Sequence, residues 1–196
     1  MTLMMGVSGI RGIVGQTMTP ELVRRAASGF VAFLRGASAK GGASAKGGVR
    51  LLVARDSRPS GAELASHLLD ELAARGCPAV DLGIVSTPCA GRAVRRLACD
   101  GGILLTASHN PAQYNGIKFL TREGGAPDAT AAAAILEQIH AIPAVSQHAV
   151  PASFRAAPTT SPGIRDRAPE TTVEGAEALR EHVEAVLDTV DVERIR

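Results

Sequence analysis

Short apolar runs and helix-period segments alternate along the first two thirds of this chain, and that alternation constrains the fold more than any other feature. Val49–Ala54 (VRLLVA), Ala79–Leu82, Gly102–Thr106 and Ile117–Leu120 are strand-length runs. Thr19-Pro20-Glu21 signals a helix start, with Thr as N-cap, Pro at the first helical position and an acid in the first turn. Leu22, Ala26, Phe30 and Phe33 follow at helical spacing. Ser60-Gly61-Ala62-Glu63 reads as a capping box for a helix carrying Leu64, Leu68, Leu69 and Leu72, closed by Gly76. Thr87-Pro88 opens a third helix that ends near Ala98, and Asp128 can cap an Ala-rich one running to about Ile142. The order predicts an α/β domain with a mixed, mainly parallel sheet and helices on both faces. Asn115-Gly116, a hairpin-type turn signal, supplies at least one antiparallel pair.

The domain so predicted covers residues 1–142. Residues 143–171 hold Pro143, Pro151, Pro158, Pro162 and Pro169 with little periodicity, which reads as a linker or crossover. Val183, Val186, Leu187 and Val190 then mark an amphipathic helix within 172–196 that has nothing of its own to pack on. It reads as the first helix of a second α/β domain whose remainder is missing. The repeat ASAKGG, at Ala37–Gly42 and Ala43–Gly48, is too short and too few for a stacked array and reads as a flexible surface loop.

Aromatics are scarce at 3%, so the core must be aliphatic and alanine-rich. The net charge of +2 is spread along the chain and gives no stripe for nucleic acid. No apolar run approaches the roughly 18–20 residues that span a bilayer, and the start carries no secretory pattern. Cys77, Cys89 and Cys99 are odd in number and lack a CxxC spacing, which suits buried free thiols in a cytoplasmic protein. The sequence carries no signal for oligomeric state.

Thr106-Ala107-Ser108-His109-Asn110-Pro111 crowds reactive side chains just past a predicted strand. Ligands of open α/β sheets bind beyond the carboxyl ends of strands. Each residue alone is ordinary: a turn serine, a structural histidine, an Asn-Pro turn. Together, with Lys118 on the returning strand, they form a candidate site. No acidic residue flanks Ser108 and GxSxG is absent, so a hydrolase triad is not indicated. A serine that carries a phosphoryl group among cations fits better. Near the start, Arg11 stands between Gly9 and Gly12 and can present its planar fork to a phosphate.

Ser8–Gly12 (SGIRG), Ala54–Gly61 (ARDSRPSG), Gly83–Pro88 (GIVSTP) and TASHNP followed by YNGIKF resemble the α-D-phosphohexomutases, in the same order. The resemblance covers about three quarters of the chain. It implies that Ser108 is the phosphoserine, which gives its phosphoryl group to a sugar phosphate through a hexose 1,6-bisphosphate intermediate. It implies that the Ser108 phosphate is one ligand of Mg²⁺. Lys118 and Arg11 match residues near that phosphate that serve proton transfer and charge stabilisation. His109 and Asn110 match loop residues that shape the site and bind phosphate. Arg55 and Arg58 match a motif of mainly structural support.

The chain also departs from the family pattern. The DGDxDR-type metal loop of the second domain and the sugar and phosphate loops of the third and fourth are absent. The expectation is a phosphoserine half-site, inactive alone, from a longer mutase. Gly6-Val7-Ser8-Gly9 stands where bacterial phosphoglucosamine mutases read Gly-Thr-Asp-Gly. Glucosamine phosphate is the leading substrate, with mannose phosphate and glucose phosphate as alternatives. A free-standing, non-catalytic domain that binds a phosphosugar or a partner is the other reading.

Overall fold

The computed structural model describes residues 4–6, 9–39, 48–143 and 173–187. In chain order the elements are β1 (Met4–Gly6), β2 (Gly9–Ile13), α1 (Pro20–Ala39), β3 (Leu51–Arg55), α2 (Gly61–Ala74), β4 (Ala79–Ile84), α3 (Thr87–Arg96), β5 (Gly101–Leu105), β6 (Tyr114–Thr121), α4 (Ala129–Ala141) and α5 (Val173–Leu187). Six strands form one sheet in the order β1-β2-β6-β5-β3-β4.

The mixed α/β class holds, but its balance differs from expectation. Only β3–β4 and β3–β5 pair in parallel; β1–β2, β2–β6 and β5–β6 are antiparallel. The reason is connection length. A parallel crossover takes a dozen or more residues. The loop between β5 and β6 is shorter than that, and β1 and β2 are nearly contiguous.

Alternation along β3 sorts the core into two layers. Leu51 and Val53 join Phe30, Leu68, Ile103, Leu105, Ile117 and Ile135 on the face covered by α1, α2 and α4. Leu52 and Ala54 join Leu104, Leu120, Cys89, Ala90 and Val94 on the face covered by α3. Phe30 and Phe119 are buried, with ring centroids 4.9 Å apart.

Local caps fix most helix starts. The Leu22 amide donates to Thr19 Oγ1 at 3.3 Å and the Ala131 amide to Asp128 Oδ1 at 2.7 Å. The cap of α3 is Ser86, one residue ahead of Thr87-Pro88, and it accepts from the Cys89 amide.

Two local expectations are corrected. Ser60 precedes α2, but its backbone is helical (φ −75°, ψ −11°) rather than extended as in an N-cap, so its side chain makes no capping bond, and its hydroxyl accepts from Asn115. Asn115-Gly116 is no turn; both residues lie inside β6 with buried side-chain positions. Asn115 is spent on Ser60, and Gly116 is required by crowding between strands.

The helix in 172–196 does have a packing partner. α5 lies against α3 and β4, with Ala178 buried in the second core layer. Arg96 Nη1 reaches Glu181 Oε1 at 2.7 Å and Glu177 Oε1 at 3.6 Å. Leu179, Val183 and Val186 remain exposed along its other side. Of the ASAKGG repeat, Ala37–Ala39 continue α1 rather than forming a loop. Residues 40–47 of the repeat and 144–172 of the proline-rich stretch lie outside the described residues.

Candidate functional site

The site is built where β5 stops. Its loop leaves the buried strand at Thr106 and returns at Tyr114. Two short bonds coil it. The Ser108 amide donates to Thr106 Oγ1 at 3.0 Å and the Asn110 amide to the Ala107 carbonyl at 3.1 Å. Ser108 takes φ +56°, a left-handed conformation that a residue with a Cβ adopts only when its surroundings hold it there. The result is an exposed serine at the crest of the loop. His109 is exposed beside it, with Nδ1 3.5 Å from Ser108 Oγ. That separation is too long for a bond that would activate the hydroxyl.

Arg58 underlies the loop. Its Nη1 donates to the carbonyls of Pro111 and Tyr114, each at 2.9 Å. Its Nη2 donates to the carbonyls of Ser108 at 2.9 Å and Asn110 at 2.6 Å. Its Nε donates to Asp56 Oδ2 at 3.1 Å. All five donor hydrogens of the guanidinium have acceptors. The supporting place assigned to the ARDSRPSG motif is thus filled by Arg58, whereas the Arg55 side chain lies near Gly61 at the start of α2.

Arg11 approaches from β2. In register it stands opposite Gly116 of β6. A Cβ at Gly116 would lie 2.5 Å from the Thr106 carbonyl oxygen and 2.8 Å from that of Ile10. Gly9, at φ +104°, likewise has no room for a Cβ against the Ile117 carbonyl. These two glycines let β2 lie tight on β6 and bring Arg11 alongside the serine loop. Its Nη1 donates to Asn110 Oδ1 at 3.2 Å. Its Nε is buried and has no hydrogen-bond partner among the described residues. A buried donor without an acceptor costs about 1–3 kcal/mol, so an arriving anion would be received there at a gain.

Lys118 is two residues beyond Gly116 on the same strand, hence on the same sheet face as Arg11. It lines a cleft of about 330 Å³ with Thr87, Pro88, Leu120, Gly124 and Ala126. Among the described residues no hydrogen bond joins Lys118 to Ser108. The cleft involves the GIVSTP motif, read from the sequence as a helix start and as one of the motifs of the family resemblance. Its last two residues form a wall beside Lys118.

The structure therefore joins Ser108 with His109, and Arg11 with Asn110, and sets Lys118 in the neighbouring cleft. Arg11 and Arg58 both bond the loop that carries the exposed Ser108 hydroxyl, and Asp56 is paired to Arg58. Such a set can hold and pass a phosphoryl group.

The family model for phosphoglucomutase/phosphomannomutase, alpha/beta/alpha domain I, matches residues 2–145. A probable phosphoglucosamine mutase of Methanopyrus kandleri is 41% identical over 119 residues, 61% of this chain and 24% of the relative. The phosphoglucosamine mutase of Pediococcus pentosaceus is 40% identical over 121 residues, 61% of this chain and 25% of the relative. A solved phosphoglucomutase/phosphomannomutase family protein of Burkholderia thailandensis superposes with a TM-score of 0.54 at 32% identity, over 70% of this chain and 31% of its own. The chain spans about a quarter of the length of the curated relatives it matches.

Proposed function

The chain belongs to the phosphoglucomutase/phosphomannomutase family, matching its alpha/beta/alpha domain I, and from that premise we propose that it is the phosphoserine-bearing part of a phosphohexomutase. The reaction is the interconversion of a hexose 6-phosphate and a hexose 1-phosphate. Glucosamine phosphate is the leading sugar, since two relatives carry that name. The name of the Burkholderia thailandensis structure favours glucose or mannose phosphate as the alternative. The observation that carries the reading is an exposed serine, in a left-handed turn, beside a loop-bound arginine whose buried Nε lacks an acceptor.

In the proposed step the Oγ–P bond of Ser108 breaks and a P–O bond to a sugar hydroxyl forms. The hydroxyl's proton ends on Ser108 Oγ. Lys118 helps to move that proton, and Arg11 faces the charge that spreads over the phosphoryl oxygens. His109 and Asn110 shape the mouth of the loop and contact phosphate. The hexose 1,6-bisphosphate turns over, and its other phosphoryl group returns to Ser108 as the step reverses.

A Mg²⁺ would be held through the phosphate on Ser108. Among the described residues no three or more His, Cys, Asp or Glu side chains converge on one point, so its other ligands would come from elsewhere. When bound, the ion would neutralise part of the phosphoryl charge. We place domain I at 1–142, the connection at 143–171 and the opening of a second domain at 172–196. The exposed apolar stripe of α5 supports that division. Three buried free thiols suit a cytoplasmic setting, and no helix among the described residues is long and apolar enough to cross a membrane.

The test is the intact mass of the native protein from its source cells, with fragmentation across the Ser108 peptide. A product heavier than 20.1 kDa with phosphate on Ser108 is the expected result. Mutase activity that survives Ser108→Ala in the full-length protein would rule the mechanism out.

A further inference from the structure

Two arginines flank the serine loop, and their donors are used in opposite ways. Arg11 keeps a buried Nε with no acceptor. Arg58 has none to spare, because four loop carbonyls and the Asp56 carboxylate take all five of its hydrogens. An arginine beside a phosphoserine would ordinarily be assigned to the phosphate. The geometry of Arg58 excludes that assignment.

We propose that Arg58 is a positioning residue for phosphoryl transfer. It acts by fixing the backbone of Ser108 from behind and never touches the phosphate. The proposal rests on the phosphoserine reading of the same loop.

Ser108 needs an external hold to keep its left-handed backbone. Arg58 supplies it by drawing the Ser108 and Asn110 carbonyls onto one nitrogen and those of Pro111 and Tyr114 onto the other. With its carbonyl turned inward, Ser108 presents its side chain outward. Asp56 keeps the guanidinium plane from rotating, since Oδ2 holds Nε and Oδ1 accepts the Arg58 amide at 3.0 Å. The Asp56 amide donates in turn to the Leu105 carbonyl at 3.0 Å, which ties the unit to the last residue of β5. The Arg58 side chain is only 11% exposed and its bonds to the Asn110 and Tyr114 carbonyls are partly buried, so water competes little for those two. A lysine could not substitute, because three donors on one nitrogen cannot span four carbonyls in a plane.

The experiment compares the full-length protein with its Arg58→Lys, Arg58→Ala and Ser108→Ala forms. Three quantities are read: kcat and KM for the mutase reaction, amide exchange at Ser108, Asn110 and Tyr114, and rescue of Arg58→Ala by millimolar guanidinium. Both Arg58 variants should lose about 10²-fold in kcat, the scale of an ångström-sized misplacement, while KM moves by less than about threefold. Exchange at the three loop amides should rise at least about tenfold, with the β3 amides unchanged. Guanidinium should restore part of the activity of Arg58→Ala and none of Ser108→Ala.

A raised KM with kcat intact would mean that Arg58 binds substrate, and the proposal would fail. Unchanged kcat with unchanged loop exchange would overturn it equally. If Arg58→Ala unfolds, seen as lost β3 protection, Arg58→Lys decides alone. Full activity in Ser108→Ala would remove the phosphoserine reading, and loop exchange would still judge the hold of Arg58 on the backbone.

Discussion

Asn115 Nδ2 donates to Ser60 Oγ at 2.9 Å, from a side chain with no exposed surface, and so ties β6 to the start of α2. Asn115 Oδ1 also accepts the Gly116 amide at 2.8 Å. Removing the amide strands the serine hydroxyl, and removing the hydroxyl strands the amide. Asn115→Ala should therefore destabilise the fold by about 1–3 kcal/mol, the cost of a buried group left unpaired. Ser60→Ala should cost a comparable amount. In urea unfolding the double variant should lose clearly less than the sum of the two. Strict additivity would show that the bond carries no weight.

That contact also marks where local reading of the sequence stops. The strand–helix alternation and the caps at Thr19 and Asp128 were legible because periodicity and capping are written in consecutive residues. Asn-Gly is the usual hairpin signal, yet here Gly116 answers to carbonyls on two neighbouring strands, a tertiary demand that no local pattern encodes. The crowding of Ser108, His109 and Asn110 before Pro111 was legible as a candidate site. The service of Arg58 to that site was legible only as support, since its four carbonyl partners follow it by 50 residues or more. The docking of α5 was missed because the residues it buries are small, Gly175 and Ala178, while Leu179, Val183 and Val186 are exposed.

Gly91 of α3 meets Gly124 in the turn after β6 so closely that a Cβ on either would strike the other's carbonyl oxygen. The contact holds one wall of the Lys118 cleft, because Gly124 lines it. Helix propensity alone would make Gly91→Ala stabilising by about 1 kcal/mol. Overpacking against a rigid carbonyl should win, with a net loss of about 1–3 kcal/mol. Thermal unfolding reads the sign directly, and a gain in Tm would show that the turn simply moves aside.

Cys77, in the connection from α2 to β4, is buried in the first core layer, and loss of hydration on burial lifts its thiol to about 11, against a partial offset from Arg35. Its Sγ donates to the Val49 carbonyl at 3.2 Å, which also favours the protonated form. The folded state therefore holds this proton more tightly than the unfolded state does. The associated stability is complete below the ordinary thiol range and is lost as pH rises from about 9 toward 11. Urea midpoints measured across that window should fall more steeply for the native chain than for Cys77→Ala. Iodoacetamide should leave Cys77 unmodified at neutral pH until the chain unfolds. Rapid labelling of Cys77 under native conditions would contradict the burial argument.

Arg11 makes a separate claim about the phosphorylated state. Its Nε is buried and lacks an acceptor among the described residues. A phosphate on Ser108 would bring three acceptor oxygens beside the loop that Arg11 already touches through Asn110. A charge-assisted bond there is worth about 1.5–3 kcal/mol. Phosphorylated protein should therefore be more stable than its dephosphorylated form by roughly that amount. Arg11→Gln removes the charge and keeps much of the side-chain length, so it should abolish most of the gain while changing the bare form little. Unfolding of the four species, two phosphorylation states in each of two sequences, isolates the interaction from any general effect of the phosphate. An equal gain in both sequences would mean that the phosphate is held without Arg11, and that the unpaired nitrogen serves some other contact.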